Sequence, residues 1–237
     1  MSSAKRNGPA TNRLLAALPK KERQRLLPDL EAVTLTFGDI LFDPGDHIRH
    51  VYFPDDSIVS LLSAVEDREL LEVGMVCREG MAGLSVFMGV SESRSRGLVQ
   101  ATGGAKRMKA ATLRREAGTG GALGKLLLRY THSLLTQISQ SAACNRFHPV
   151  NARLARWLLM THDRIAGDEF RLTQEFLSHM LGVRREGVTL AAGALQRQKL
   201  IGYSRGRLRI LDRAGLEAVS CKCYRVVRDE YDNFLTS

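Results

Sequence analysis

Residues 172–211 read LTQEFLSHMLGVRREGVTLAAGALQRQKLIGYSRGRLRIL, and this segment carries the clearest structural pattern in the chain. Its apolar residues recur at spacings of three and four on both sides of Gly182, which predicts two short helices joined by a sharp turn. Thr173 is a suitable N-cap for the first helix, and a glycine supplies the permissive backbone that such a turn requires. The inward face of the first helix is formed by Phe176, Leu177, Met180 and Leu181, and that of the second by Val188, Ala191, Ala192 and Leu195.

The residues around Gly182 also have the spacing of a helix-turn-helix. A small residue, Ser178, precedes the glycine by four positions, where the two helices must approach closely. A branched apolar residue, Val188, follows it by six positions and fills the gap between the helices. Alanine is commoner than serine at the first of these positions, so Ser178 is a mild departure. Each match is weak alone, but together they predict a helix-turn-helix.

A basic hairpin is predicted directly after the second helix. Residues 203–207 (YSRGR) form its tip, and apolar residues return at 208–211. Residues 184–213 carry eight Arg or Lys residues against two acidic ones, within a chain whose formal net charge is +10. A hairpin of this charge beside a helix-turn-helix can hold a phosphate backbone, as the wing of a winged helix does. The alternative is a structural hairpin with solvated arginines.

Candidate DNA contacts lie at the N-terminal end of the second helix, the end that enters the major groove in helix-turn-helix proteins. Arg185 can donate two hydrogen bonds to guanine O6 and N7, and Glu186 can accept one from cytosine N4. Arg184 is better suited to a phosphate. The sequence therefore predicts a DNA-binding set made of Arg184, Arg185, Glu186, Thr189, Arg205 and Arg207. The alternative is that these are ordinary surface charges.

The first half of the chain has a different pattern. Residues 11–18 read as a short helix capped by Thr11 or Asn12, and the basic run that follows is interpreted as a solvated helix face (Lys20, Lys21, Arg23, Arg25). Between about residues 31 and 110, short alternating apolar runs are separated by Gly, Pro and Asp, which predicts a β-barrel or roll. The fold class is therefore α+β.

A long helix is predicted between these two parts. Its apolar series recurs at helical spacing up to Pro149 (Leu123, Leu127, Tyr130, Leu134, Ile138, Ala142). A helix of this length either crosses its own domain or pairs with its copy in a second subunit. The apolar series alone leaves both readings open, and the predicted DNA binding favours the dimer.

Composition limits the remaining functions. No apolar run is long enough to cross a bilayer, and the polar first ten residues lack the apolar core of a secretory signal, so a cytoplasmic protein is expected. The best candidates for catalytic residues are His47, His50, Cys77 and Glu79. The sequence shows no nucleophile–base–orienter set and no glycine-rich phosphate loop. We therefore expect no enzyme.

The four cysteines are predicted to be reduced thiols without a metal. They contain no CxxC pair, and in a helix Cys221 and Cys223 would point about 200° apart. No cluster of about four nitrogen or sulfur ligands is visible along the sequence. The sequence thus predicts no metal and no cofactor.

Taken together, these features resemble the Crp/Fnr family, which comprises the cyclic-AMP receptor protein and its relatives. The resemblance covers nearly the whole chain and includes FGDILFDPGD (residues 37–46), the long central helix and the terminal winged helix. It implies a homodimeric transcription regulator with an N-terminal helical segment (1–30), a cyclic-nucleotide-binding-type β-roll (31–120), a dimerisation helix (121–148) and a winged helix-turn-helix with a C-terminal helix (149–237). It also places Arg185 and Glu186 on the family's base-reading pair, whereas the family's further arginine is Leu190 here, which suits a thymine methyl better.

The sensing domain departs from the family pattern. Cyclic-nucleotide binders hold the ribose with a Gly-Glu pair and the phosphate with an Arg-Ser/Thr pair, but this chain reads Glu79-Gly80 and places neither Arg94 nor Arg96 squarely at the phosphate position. Cyclic AMP is therefore disfavoured, and the cysteines do not have the iron–sulfur arrangement. The predicted partners are double-stranded DNA, a second copy of the chain, an unidentified small-molecule effector and, as a candidate, RNA polymerase. The competing hypothesis is a ligand- or partner-binding module with a vestigial helix-turn-helix.

Overall fold

The computed structural model describes residues 11–66, 69–165 and 167–235. The polar first ten residues lie outside the described part. Two short helices open it, α1 (Arg13–Ala17) and α2 (Lys20–Leu26). The side-chain oxygen of Asn12 accepts a hydrogen bond from the Leu15 amide, and its Nδ2 donates to the carbonyls of Pro54 and Gly80. The predicted cap is confirmed, and it also joins α1 to the β-roll; the basic residues of α2 are exposed, as expected of a solvated face.

In the described part of the chain, seven antiparallel strands build the predicted β-roll. They are β1 (Glu31–Leu35), β2 (Ile40–Phe42), β3 (His50–Pro54), β4 (Ile58–Glu66), β5 (Glu69–Val76), β6 (Arg96–Ala101) and β7 (Gly103–Lys109). One sheet has the order β1-β7-β3 and the other β2-β6-β4-β5. Gly38 and Gly45 sit at φ +92° and +89° in turns flanking β2, where a side chain would be strained.

The helices α3 (Ala110–Ala117) and α4 (Ala122–Phe147) follow, and α4 is the predicted long helix. The carboxylate of Glu22 accepts hydrogen bonds from the Ala122 and Leu123 amides at the start of α4. Tyr130 is completely buried, and a Cβ on Gly80 would lie 2.4 Å from its ring, so only glycine lets the β-roll approach here.

The apolar series of α4 does not form one continuous seam. Leu123, Leu127, Tyr130 and Leu134 are buried in their own chain, Ile138 is half-buried and Ala142 is exposed. The first part of the predicted series therefore packs within the subunit. Two other leucines, Leu128 and Leu135, lie 63% and 58% exposed.

The C-terminal part contains α5 (Val150–His162), β8 (Glu169–Arg171), α6 (Gln174–Leu181), α7 (Arg185–Arg197), β9 (Ile201–Ser204), β10 (Arg207–Ile210), α8 (Arg213–Val219) and α9 (Cys223–Asn233). Its sheet has the order β8-β10-β9. The strand β8 was not predicted, because three residues are too few for a periodic signal. No helix among the described residues is long and apolar enough to cross a membrane.

Buried polar contacts join the β-roll to the C-terminal part. The guanidinium of Arg164 contacts the Glu79 carboxylate at 2.7 Å, with both side chains under 10% exposed. Trp157 Nε1 donates to Glu72 at 2.9 Å, and Arg78 donates to the carbonyl of Asp163. Glu79, which the sequence offered as a candidate catalytic residue, thus forms a structural ion pair with Arg164.

Candidate nucleic-acid interface

The turn between α6 and α7 has the predicted geometry. The Thr173 side chain accepts a hydrogen bond from the Phe176 amide at 3.0 Å and caps α6. Gly182 has φ +58° and ψ +47°, the left-handed conformation that suits glycine, and a Cβ there would also lie 2.6 Å from Leu71 of the β-roll. Ser178 and Val188 are both buried between the helices. The helix-turn-helix prediction is confirmed.

The predicted base-reading residues share one exposed end of α7. Arg184 is its N-cap residue, and Arg185, Glu186 and Thr189 are all exposed. Arg185 is held by an ion pair to Glu175 of α6, at 2.7 Å with both side chains 60% exposed. Exposed pairs of this kind stabilise by at most about 1 kcal/mol, so a ligand can displace Glu175 at small cost. Leu190 lies on the same helix and is 73% exposed.

The predicted wing is the hairpin β9–β10. Arg205 and Gly206 have φ +50° and +73°, so both loop residues are left-handed, as in a two-residue turn that matches the twist of its strands. The Tyr203 hydroxyl donates to the carbonyl of Leu172 at 3.0 Å, which ties the wing to the start of the helix-turn-helix. Burial raises the pKa of Tyr203, so this donor keeps its proton at neutral pH.

The arginines of the wing differ in their surroundings. Arg205 at the tip is exposed, whereas Arg207 and Arg209 lie 3.4 Å and 2.9 Å from the Glu169 carboxylate on β8. The unpredicted strand therefore places a negative charge beside one side of the wing.

In the β-roll, neither candidate phosphate arginine has a preformed anion site. Arg96 donates two hydrogen bonds of 2.8 Å to the Asp43 carboxylate, and the Phe42 ring lies against Gly97. Arg94 is 85% exposed and pairs with Glu92. Burial and an unfavourable interaction with Glu79 raise the pKa of Cys77 well above its usual value, so this thiol stays protonated.

One group of residues was missed by sequence reasoning. The side-chain ligand atoms of Cys144, His148, Cys221 and Cys223 all lie within 4.8 Å of one another. The argument against metal binding assumed that Cys221 and Cys223 share a helix, but Cys221 precedes α9 and Cys223 is its first residue. The geometric premise was wrong, and the Cys-Lys-Cys spacing was the available signal.

Comparison with known proteins matches residues 152–219 to the family model of the Crp-like helix-turn-helix domain. No curated protein matches the chain. Among solved structures, FixK2 from Bradyrhizobium japonicum is 16% identical with a TM-score of 0.69, covering 81% of this chain and 98% of its own. A putative regulator of the Crp/Fnr family from Eubacterium rectale is 15% identical with a TM-score of 0.67 (87% and 97%). A CRP-family regulator from Thermus thermophilus is 19% identical with a TM-score of 0.65, covering 79% of this chain and 96% of its own. At these low identities, the three structures establish a shared fold.

Proposed function

We propose that this chain, a DNA-binding transcription regulator of the Crp/Fnr type, reads an inverted repeat as a homodimer through the exposed N-terminal end of α7. The observation that carries the proposal is the set of exposed residues Arg184, Arg185, Glu186 and Thr189 beside the left-handed Gly182. The N-terminus of a helix carries partial positive charge, so this end of α7 favours phosphate and electronegative base edges.

Direct base readout is assigned to Arg185 and Glu186. When DNA replaces Glu175 as the partner of Arg185, the guanidinium can pair bidentately with guanine, and Glu186 can accept from cytosine. Leu190, exposed one turn further along α7, offers an apolar surface to a thymine methyl group. Arg184 and Thr189 flank this set and suit the phosphate backbone.

The wing is assigned a positioning role on the backbone. Arg205 stands at the tip of a hairpin that Tyr203 anchors to the helix-turn-helix. Arg207 follows it, with Glu169 nearby. Phosphate contacts of this kind fix the register of a protein on the duplex without reading its sequence.

Dimerisation is assigned to the outer face of α4. This face carries residues at alternating spacings of three and four, which is the pattern of a coiled-coil seam (Leu128, Thr131, Leu135, Ile138, Ala142). Leu128 and Leu135 are more than half exposed, so a partner α4 would cover apolar surface that the chain leaves open. Two copies related by a two-fold axis would place their α7 helices in successive major grooves, about 34 Å apart.

Effector control through the β-roll is part of the proposal, and its ligand is unidentified. Cyclic AMP remains disfavoured because Arg96 is already held by Asp43, and a phosphate without its arginine is poorly compensated. The contacts of Glu72 and Glu79 between the β-roll and the C-terminal part supply a physical route for such control. RNA polymerase is a candidate partner, and action in the cytoplasm follows from the proposed role.

The experiment is selection of bound genomic fragments followed by anisotropy titration of the selected duplex. We expect a preferred inverted repeat for the wild type, and Arg185→Ala should weaken binding by about 1–3 kcal/mol per half-site and relax the preference there. Arg205→Ala should weaken binding to all duplexes. It should also reduce the slope of the logarithm of the binding constant against the logarithm of salt concentration by about one released ion per half-site. Arg94→Ala removes an exposed arginine from the β-roll and should leave both properties unchanged.

The proposal would be contradicted by a wild-type protein that binds all fragments equally. It would equally be contradicted if Arg185→Ala and Arg94→Ala behaved alike. In that case the vestigial helix-turn-helix hypothesis would gain support.

A further inference from the structure

Three cysteines and one histidine converge at the junction between α4 and the C-terminal helices, and we call them the Cys3His cluster (Cys144, His148, Cys221, Cys223). Cys144 lies in the last turn of α4, and His148, four positions later, is the C-cap residue of the same helix. Cys221 lies in the turn between α8 and α9, and Cys223 begins α9. The three cysteines are buried and the histidine is half-buried, which makes the cluster a nearly closed pocket of four ligand atoms.

The distances within the cluster fit a tetrahedral metal site. For zinc, bond lengths of about 2.3 Å to sulfur and 2.0–2.1 Å to nitrogen give edges of about 3.8 Å between two sulfurs and about 3.6 Å between sulfur and nitrogen. Cys144 Sγ and Cys221 Sγ are 3.4 Å apart, and Cys223 Sγ and His148 Nδ1 are 3.6 Å apart. Because no two ligand atoms are more than 4.8 Å apart, closing the tetrahedron shortens its longest edge by about 1.2 Å at most and lengthens the Cys144–Cys221 edge by about 0.4 Å.

The charge around the cluster also fits a bound metal. Arg153 and Arg156 of α5 are each only 8% exposed, and Arg156 interacts electrostatically with Cys144 and Cys221. Arg156 Nη1 and Arg153 Nε lack a hydrogen-bond partner among the described residues, so two buried guanidinium groups are only partly compensated. Zn²⁺ with three thiolates and a neutral imidazole carries a net charge of −1, which offsets part of this positive charge.

A neighbouring side chain orients one of the sulfurs. Gln140, one turn before Cys144 on α4, places its Nε2 3.0 Å from Cys223 Sγ. An N–H donor to a thiolate is the kind of supporting contact that orients metal ligands in proteins. A protonated thiol gains much less from such a donor than a thiolate does.

We propose that Cys144, His148, Cys221 and Cys223 bind one zinc ion in a closed structural site. Three thiolates and an imidazole select zinc over magnesium or calcium, which prefer oxygen ligands. Binding releases the three thiol protons to solvent, the sulfurs and His148 Nδ1 become the four ligands, and no oxidant or reductant is needed. The ion joins the α8–α9 turn to the end of α4, directly before Pro149 and α5, and so fixes the winged helix-turn-helix relative to the proposed dimer seam.

The test uses the full-length protein purified and reduced under anaerobic conditions. Mass-spectrometric metal analysis should find one zinc per chain, and replacement by cobalt should give the thiolate charge-transfer bands and the intense visible bands of a tetrahedral site. Cys221→Ser should lose the charge-transfer intensity of one thiolate and weaken zinc binding in a chelator competition. Cys77→Ala, a buried cysteine of the β-roll, should leave the cobalt spectrum and the zinc affinity unchanged.

A separate variant tests Gln140, whose Nε2 donates to Cys223 Sγ. Gln140→Ala should lower the zinc affinity by about 10–100-fold while retaining the tetrahedral cobalt spectrum, because all four ligands remain. Reduced wild-type protein that takes up no cobalt, or a Cys221→Ser spectrum identical to the wild type, would overturn the proposal. A wild-type failure cannot be attributed to misfolding of a variant.

Discussion

Glu72 on β5 gives the sharpest quantitative prediction, because its carboxyl group lies where the β-roll meets α5. Ser60 Oγ is 2.6 Å from Glu72 Oε2 and 2.8 Å from Gln100 Oε1. One hydroxyl has a single proton, so Ser60 can donate to Glu72 or to Gln100 but not to both; when Glu72 is protonated and donates to Ser60, both contacts are hydrogen bonds. Trp157 Nε1 donates to the other carboxyl oxygen at 2.9 Å. The geometry therefore fits the neutral acid.

The direction of the pKa shift agrees with this geometry. Burial raises the pKa of Glu72 from 4.5 to about 7, although the hydrogen bonds that Ser60 and Trp157 can donate to the ionised carboxylate and the charges of Arg156 and Arg164 act in the opposite direction. The folded protein thus binds this proton more tightly than the unfolded chain. The resulting stabilisation is complete below pH 4.5 and is lost as the pH rises to about 7.

The magnitude follows from the shift. At about 1.4 kcal/mol per pKa unit, Glu72 should lower the free energy of unfolding by roughly 3 kcal/mol between pH 4.5 and pH 8, as an upper value for a group that keeps some solvent contact. Glu72→Gln cannot titrate, and its amide nitrogen donates to Ser60 as the protonated acid does. The variant should match the wild type near pH 4.5 and exceed its stability by roughly 2–3 kcal/mol at pH 8.

Urea unfolding followed by the fluorescence of Trp157, the chain's single tryptophan, measures this difference. The protein concentration must be the same at each pH, since the proposed dimerisation would make the apparent stability depend on it. Glu92→Gln, at a half-exposed glutamate paired with Arg94, is the matched control and should show no such pH dependence. A Glu72→Gln difference that is the same at pH 5 and pH 8 would refute the reasoning.

Two further predictions concern DNA reading and assembly. Leu190→Arg should move the preferred base at one step of each half-site from thymine to guanine, by about 1–3 kcal/mol, in sequencing of selected duplexes, and an unchanged operator would exclude Leu190 from the interface. Leu135→Glu, which places a charge on the proposed α4 seam, should weaken the dimer at least tenfold in sedimentation equilibrium. Leu211→Glu is the control, because Leu211 has the same 58% exposure but lies outside α4, and this variant should leave the dimer unchanged. Equal effects of the two variants would argue against the seam.

The helix-turn-helix was predictable because its determinants are local. The Thr173 cap, the spacing from Ser178 to Val188 and the need for a left-handed glycine at position 182 all act within about one or two helical turns. The β-roll was likewise predictable from alternating apolar residues and from turn residues such as Gly38 and Gly45, whose backbone conformation excludes most other side chains.

The faces of α4 and the partners of the candidate DNA contacts required the tertiary structure. Helical periodicity identified an apolar series, but only the position of the β-roll decided that Tyr130 is buried against Gly80 while Leu128 and Leu135 remain exposed. The pairing of Arg185 with Glu175 depends on how α6 and α7 cross. Similarly, β8 brings Glu169 to the wing arginines from a position before the helix-turn-helix.

The long helix, the helix-turn-helix, the hairpin that follows it and the end of α7 that carries the arginines could be read from the chain alone, because backbone conformation and hydrophobic period are properties of neighbouring residues. The folded structure was needed to show that Cys144 meets Cys221, 77 positions later, and that Glu72 meets Trp157, 85 positions later. Contacts between residues so far apart arise from the packing of whole elements against one another. Their chemistry is therefore created by the fold and leaves no periodic trace in the chain.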